Sequence, residues 1–194
     1  MDTLITPAIH AVVFWGTFIC WMGVSLWEGR GHHLKQTTPE GRRNDLACFF
    51  GVGAAGLVAL SSKGLFSNVA LYHGPALFWL GIAFIWIGTL LRHWAVATLG
   101  RYHVMTIHTE LKQPVITTGP YSYIRHPSYL GALVAVLGIA LAINSLPGGV
   151  VLAAAAAGTL IQRIYIEDRH LLKHLGAVYQ EYAKHTHRLL PFVW

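Results

Sequence analysis

Apolar residues run through this chain in long blocks cut by short polar ones. Residues 7–27, 75–99, 127–143 and 150–166 form blocks on the scale that crosses a bilayer core at ~1.5 Å per helical residue. Residues 46–62 are a shorter block with several glycines, which let helices approach closely. The segments 28–45, 63–74 and 100–125 are polar connectors. Asn144-Ser145-Leu146-Pro147-Gly148-Gly149 reads as a tight turn, too short for anything but an antiparallel helical pair. Beyond the last block, residues 168–185 read as an amphipathic helix, with Leu171, Leu175, Val178 and Tyr182 on one stripe. The pattern predicts an all-α protein: a polytopic integral membrane bundle of five transmembrane helices with a cytoplasmic C-terminal amphipathic helix. It reads as a single membrane domain over residues 1–194, with three spans and their loops in 1–99 and two spans in 100–194.

Composition agrees with the pattern. Hydrophobic residues make up 54% and charged residues only 11%, against roughly 25% charged in a soluble domain. The net charge of +6 needs no nucleic-acid partner. In a five-span arrangement, twelve of the fourteen Lys and Arg fall on one side; Lys63 is opposite, and Arg92 lies in the third span. The positive-inside rule makes that side cytoplasmic, with the N-terminus outside and the C-terminus inside. The expected location is the cell membrane, multi-pass, among membrane lipids. Met1-Asp2-Thr3 has neither a basic n-region nor a cleavage site, so the first block is expected to stay as a helix. Cys20 and Cys48 lie in apolar stretches without metal-ligand spacing.

The chemistry concentrates at Tyr121-Ser122-Tyr123-Ile124-Arg125-His126-Pro127-Ser128-Tyr129-Leu130-Gly131. Pro127 has no backbone N–H, so it belongs in a first helical turn, and His126 before it lies outside the helix. The unpaired N–H groups of that helix start, with Arg125 and His126 beside them, suit an anion. The plainer reading is a helix start with an arginine snorkelling to the headgroups. The tight turn at 144–149 returns the chain so that Glu167 ends at the depth of His126. The cluster is then Tyr121, Arg125, His126, Ser128, Tyr129, Arg163, Glu167 and Asp168. Arg163 and Glu167, four apart, share a helix face and could simply staple the hairpin. Ionisable groups at membrane depth are costly, which points instead to function.

These residues resemble the isoprenylcysteine carboxyl methyltransferase family, and more broadly the membrane methyltransferases that include phospholipid N-methyltransferases. The resemblance rests on Gly119-Pro120-Tyr121 and Arg125-His126-Pro127-Ser128-Tyr129-Leu130-Gly131. It continues through Arg163, Glu167-Asp168, Gly176, Tyr179, Tyr182 and Arg188-Leu189-Leu190-Pro191-Phe192. It covers roughly the C-terminal half and marks residues 100–194 as the methyltransferase-like catalytic half. It implies S-adenosylmethionine as cofactor, leaving as S-adenosylhomocysteine and bound without a dinucleotide fold; no Gly-rich fingerprint follows a strand here. It further implies cofactor contacts at Gln113, Pro114, Val115, Ile116, Tyr121, His126, Pro127, Ser128, Tyr129 and Glu167, with Arg163 orienting the acceptor. Gln113 stands where eukaryotic members are expected to carry histidine. On this reading His126 and the helix start hold the cofactor's methionine carboxylate, and Glu167 its amine or ribose hydroxyls. The acceptor is a lipophilic or prenylated substrate entering from the bilayer, its carboxylate being methylated as in an isoprenylcysteine.

Other readings stay open. A phospholipid amine or a thiol could be the acceptor instead. An NADPH-dependent membrane reductase shares a similar C-terminal pattern but is longer, and a non-enzymatic scaffold is the third possibility. Twelve histidines invite a metal, yet His32-His33, His170/His174 and His185/His187 lack the acidic or cysteine partners of a recognisable ligand set. His10 and His93 fall near opposite membrane faces, which argues against a shared haem.

Overall fold

The computed structural model describes residues 2–30, 53–57, 61, 75–102 and 114–190. Among these, regular structure is helical apart from one isolated parallel bridge between Ile124 and His187. The helices are α1 (Asp2–Arg30), α2 (Ala76–Leu99), α3 (Pro127–Ile143), α4 (Leu146–Leu175) and α5 (Ala177–Lys184). Short 3-10 turns occupy Gly100–Tyr102 and Gly119–Ser122. Among the described residues, two helices are both long and apolar enough to cross a membrane by themselves, α2 with 24 residues and α4 with 30. Their outer faces carry Trp79, Trp86, Leu90, Trp94, Val150 and Ile161, all exposed. Water would penalise such a surface, whereas lipid does not. The expected second block at 46–62 lies largely outside the described residues, though 53–57 are helical.

The direction of each helix follows from its contacts. His10 stacks on Phe78 at 4.2 Å between centroids, and Trp27 stacks on His93 at 6.3 Å, so α1 and α2 run parallel. His10 and His93 accordingly sit at opposite ends of the pair. Helices α2 and α3 run antiparallel and meet at glycines: Gly81 faces Gly138, and Gly88 faces Gly131. A Cβ on Gly138 would sit 2.5 Å from the Gly81 carbonyl oxygen and 2.7 Å from the Ile85 nitrogen. A Cβ on Gly131 would sit 2.6 Å from the Arg92 nitrogen. The glycines recur every seven residues on both helices, which keeps them on one seam. This seam sets the register and carries Arg92 to the level of the α3 N-terminus. The core packs alongside it from Phe14, Phe78, Ile82, Ile85, Ile139 and Leu152.

Two sequence expectations need correction. The turn between the last two spans is shorter than residues 144–149. Helix α3 ends on Asn144 in the left-handed conformation (φ 56°), Ser145 caps α4, and Leu146 is already helical. Pro147 fits inside the first turn of α4 because the N–H it lacks has no helical partner there. The segment 168–185 is not one amphipathic helix. Helix α4 continues past the membrane block to Leu175 and stops at Gly176, whose φ of 56° is open to glycine and strained for other residues. That break rotates the following turn, so Val178 is 65% exposed and Tyr179 takes the buried place at 5%. Periodicity read across the break misplaces Val178, while Leu171, Leu175 and Tyr182 stay partly buried.

Candidate active site

The site is built where three stretches meet at one end of the α3–α4 hairpin. The first is the approach to α3. Residues 114–117 have no regular secondary structure and lead through the extended Thr118 into the 3-10 turn at Gly119–Ser122, which lies against the end of α2 near Trp94 and Thr98. Tyr121 is buried in that turn, and its hydroxyl is hydrogen-bonded to Ser128. His126 caps α3 from outside with Pro127 at the first helical position, as the X-Pro rule requires. His126, Pro127 and Ser128 are all buried, and Tyr129 is half-buried. Gln113 lies outside the described residues.

The second stretch is the end of α4. Tyr129 on α3 donates from its hydroxyl to Glu167 Oε2 at 2.6 Å, and Arg163 Nε donates to the same hydroxyl at 2.9 Å. Arg163 also lies over the Tyr129 ring, with its Cζ 5.8 Å from the centroid. The expected Arg163–Glu167 association is therefore bridged by a phenol from the facing helix. One position on, Asp168 receives His126 Nε2 and Tyr179 Oη on Oδ1, at 2.9 and 2.5 Å, and Arg188 Nε on Oδ2 at 2.9 Å. Arg125 Nε lies 3.9 Å from Oδ1 and completes the surround. The His126 ring stacks on Tyr129 at 5.5 Å between centroids, nearly coplanar at 10°.

The third stretch is the C-terminal segment, which pairs its main chain with the approach to α3. Arg125 N donates to His187 O at 2.7 Å, His126 N to Arg188 O at 3.1 Å, and His187 N to Tyr123 O at 3.0 Å. The Arg125 guanidinium turns into this segment and donates to the carbonyls of Ala183, at 2.8 Å, and Thr186. Tyr182 Oη donates to the Tyr121 carbonyl at 2.7 Å. Residues 191–194, including Phe192 and Trp194, lie outside the described residues.

Several sequence-level assignments change in detail. Arg125 and His126 were expected to face an anion at the α3 N-terminus. Both lie against the carboxylate of the chain's own Asp168, at 3.9 and 2.9 Å, and Arg125 also donates to main-chain carbonyls. Glu167, Tyr129 and Arg163 do converge, and Tyr121 and Ser128 adjoin them. Residues 114–116 lie in the irregular approach to the 3-10 turn. Missed by sequence reasoning were the roles of Asp168, Tyr179 and Arg188 as one polar hub, and the placement of Arg92. The spacing of Asp168 and Tyr179 across a glycine break hides their contact from helical periodicity. The glycine repeat at 81, 88, 131 and 138 was the available signal for Arg92.

The electrostatics keep the phenols neutral. Burial, reinforced by the nearby Glu167 charge, raises the Tyr121 hydroxyl well above its ordinary value. Burial and then Asp168 do the same to Tyr179. Burial pushes Tyr182 up to about 12. All three thus stay protonated throughout the physiological range, and Tyr179 and Tyr182 donate, to Asp168 Oδ1 and to the Tyr121 carbonyl.

Comparison with known proteins places this arrangement. The phospholipid methyltransferase family model matches residues 76–178, from the start of α2 to just past the end of α4. A probable protein-S-isoprenylcysteine O-methyltransferase of Oryza sativa subsp. indica is 30% identical over 162 residues, covering 79% of this chain and 85% of the relative. Protein-S-isoprenylcysteine O-methyltransferase A of Arabidopsis thaliana is 30% identical over 133 residues, covering 66% of this chain and 68% of the relative. The structure of the eukaryotic intramembrane Ras methyltransferase ICMT aligns with a TM-score of 0.58 at 22% identity, over 82% of this chain and 55% of that one. The last likeness speaks to the fold, an all-helical membrane architecture. On the family model and the extent of the rice relative, the chain belongs to the phospholipid methyltransferase family and is a membrane methyltransferase.

Proposed function

We propose that the chain moves a methyl group from S-adenosylmethionine to the carboxylate of a lipophilic, isoprenylcysteine-like acceptor. The observation that carries this reading is the Tyr129 hydroxyl held between the Arg163 guanidinium and the Glu167 carboxylate at one end of the hairpin. It sets a cation suited to an acceptor carboxylate beside an anion suited to the donor. When bound, S-adenosylmethionine supplies an electrophilic sulfonium methyl.

The donor set fits that molecule. Glu167 can accept from its ammonium or ribose hydroxyls. The irregular run at Pro114, Val115 and Ile116 offers main-chain groups, and Tyr121, His126, Pro127, Ser128 and Tyr129 line the turn beside it. Gln113 joins them by position in the chain. Arg163 grips the acceptor carboxylate with its planar fork. An ionised carboxylate needs no general base, so the residues have two tasks: alignment and the exclusion of water. The docked C-terminal segment serves the second. A lipid amine would need to lose a proton, and the histidine nearest the cluster has its Nε2 committed to Asp168, so the carboxylate acceptor suits the site better.

We place this site at the cytoplasmic face of a five-span protein of the cell membrane. The parallel run of α1 and α2 supports the count, because the connection between them must return across the bilayer. The one-sided distribution of Lys and Arg supports the orientation. The test is methyl transfer from labelled S-adenosylmethionine in nanodiscs to N-acetyl-S-farnesylcysteine, to phosphatidylethanolamine and to an alkyl thiol. Base-labile label on the farnesylcysteine alone supports the reading. Transfer to the amine or thiol in its place overturns the acceptor, and binding of NADPH with no methyl transfer overturns the reaction.

A further inference from the structure

Glu167 and Asp168 are adjacent acids with different surroundings. Glu167 meets the Tyr129–Arg163 pair, whereas both Asp168 oxygens receive donors from the rest of the site. Those donors come from three separate places: His126 before α3, Tyr179 on α5 and Arg188 in the C-terminal segment. His126 is 3% exposed and its ring lies flat on Tyr129. A continuous chain of contacts therefore runs from Arg188 and Tyr179 through the Asp168 carboxylate to His126. From there it passes by ring stacking to Tyr129, whose hydroxyl orients Arg163.

We propose that Asp168 is a positioning residue for methyl transfer: it holds the His126 ring against Tyr129 and makes the acceptor-side geometry depend on the docked C-terminal segment. The carboxylate is suited to this because it accepts on both oxygens. Arg188 and Tyr179 fix where it lies, and His126 reads that position. Asp168 touches neither donor nor acceptor in this scheme; it acts through His126. The inference rests on the methyl-transfer reading for its kinetic consequence but not for its structural one.

Two measurements on the full chain in nanodiscs test it. The first is a kinetic cycle. Asp168→Asn is expected to lower kcat/KM for farnesylcysteine at least tenfold. His126→Phe keeps a ring on Tyr129 but cannot bond to Asp168. In that background Asp168→Asn is expected to cost less than twofold. Equal losses in both backgrounds overturn the proposal, because Asp168 would then act without His126. If Asp168→Asn does not fold, Tyr179→Phe carries the cycle. It removes one hydroxyl from the hub and is expected to cost twofold to fivefold, a loss that must vanish with His126→Phe; no loss, or one that persists, overturns it. The second measurement needs no activity. In protein labelled with 15N-histidine, His126→Phe identifies the His126 signal, and Arg188→Gln on the far side of the carboxylate is expected to move it. A signal that does not move overturns the coupling even if the protein proves to methylate something else.

Discussion

Tyr129 and Glu167 are joined across the α3–α4 hairpin by a hydrogen bond of 2.6 Å from phenol to carboxylate. Glu167 would be a costly charge at this depth without a donor, and Tyr129 supplies one from the facing helix. The bond both closes the hairpin and leaves the carboxylate at the site.

Because the proposed donor contact is a charge-assisted bond, Glu167→Gln should weaken S-adenosylhomocysteine binding by about 1.5–3 kcal/mol. The loss of the Tyr129 contact alone would show mainly as a lower Tm. Calorimetric titration beside thermal unfolding separates these outcomes, and unchanged affinity in folded protein returns Glu167 to a purely structural role.

Arg163 tests the acceptor. Lysine keeps the charge but loses the planar fork. Arg163→Lys is expected to raise the acceptor KM or lower kcat strongly while S-adenosylhomocysteine affinity stays nearly intact. A lipid amine acceptor would make the change far milder. Abolished cofactor binding in folded protein would move Arg163 into the cofactor site.

The glycine seam predicts a stability effect remote from the chemistry. Gly138→Ala puts a methyl 2.5 Å from the Gly81 carbonyl oxygen. Main chain must shift to admit it, at about 1–3 kcal/mol. Gly158→Ala on α4 meets no atom within 4 Å and should be neutral or slightly stabilising. Thermal unfolding in detergent compares the two; equal Tm values would mean that the seam is looser than its distances.

The C-terminal segment is bound by polar groups, and Arg188 is its tie to Asp168. Deleting residues 188–194 removes that tie together with the His126 N–H bond to the Arg188 carbonyl. Turnover should fall while the helical content measured by circular dichroism is kept. Full activity after truncation would make the segment an interfacial anchor only.

Topology can be read directly. With the charge-rich loops inside, a cysteine placed at position 35 should be protected from a membrane-impermeant reagent in intact cells, and one at position 68 should be labelled. The reverse pattern would move the site to the outer face.

Much of the fold was legible in the sequence because lipid imposes a simple rule: a buried backbone must bond to itself, so long apolar blocks become helices. The limits of α3 were readable to the residue, since Pro127 can only open a helix and the polar Asn144-Ser145 closes it. The meeting of His126 and Tyr129 with the end of α4 followed from a connection too short to allow any other pairing. What the chain alone could not show was direction and partner. Gly176 breaks the periodicity on which the amphipathic stripe depended, so Tyr179 rather than Val178 turns inward. The seven-residue glycine spacing is visible in the sequence, but only the packed helices show that it brings Arg92 against Gly131 in the first turns of α3. The same holds for the two acids. Glu167 and Asp168 are neighbours of like charge and similar length, and nothing local distinguishes them. A helix turns about 100° per residue, so packing sends one to Tyr129 and the other to His126, Tyr179 and Arg188. Residue type and spacing determined that a charged cluster would form at the end of the hairpin; the third dimension decided which acid meets Tyr129 and which one gathers His126, Tyr179 and Arg188.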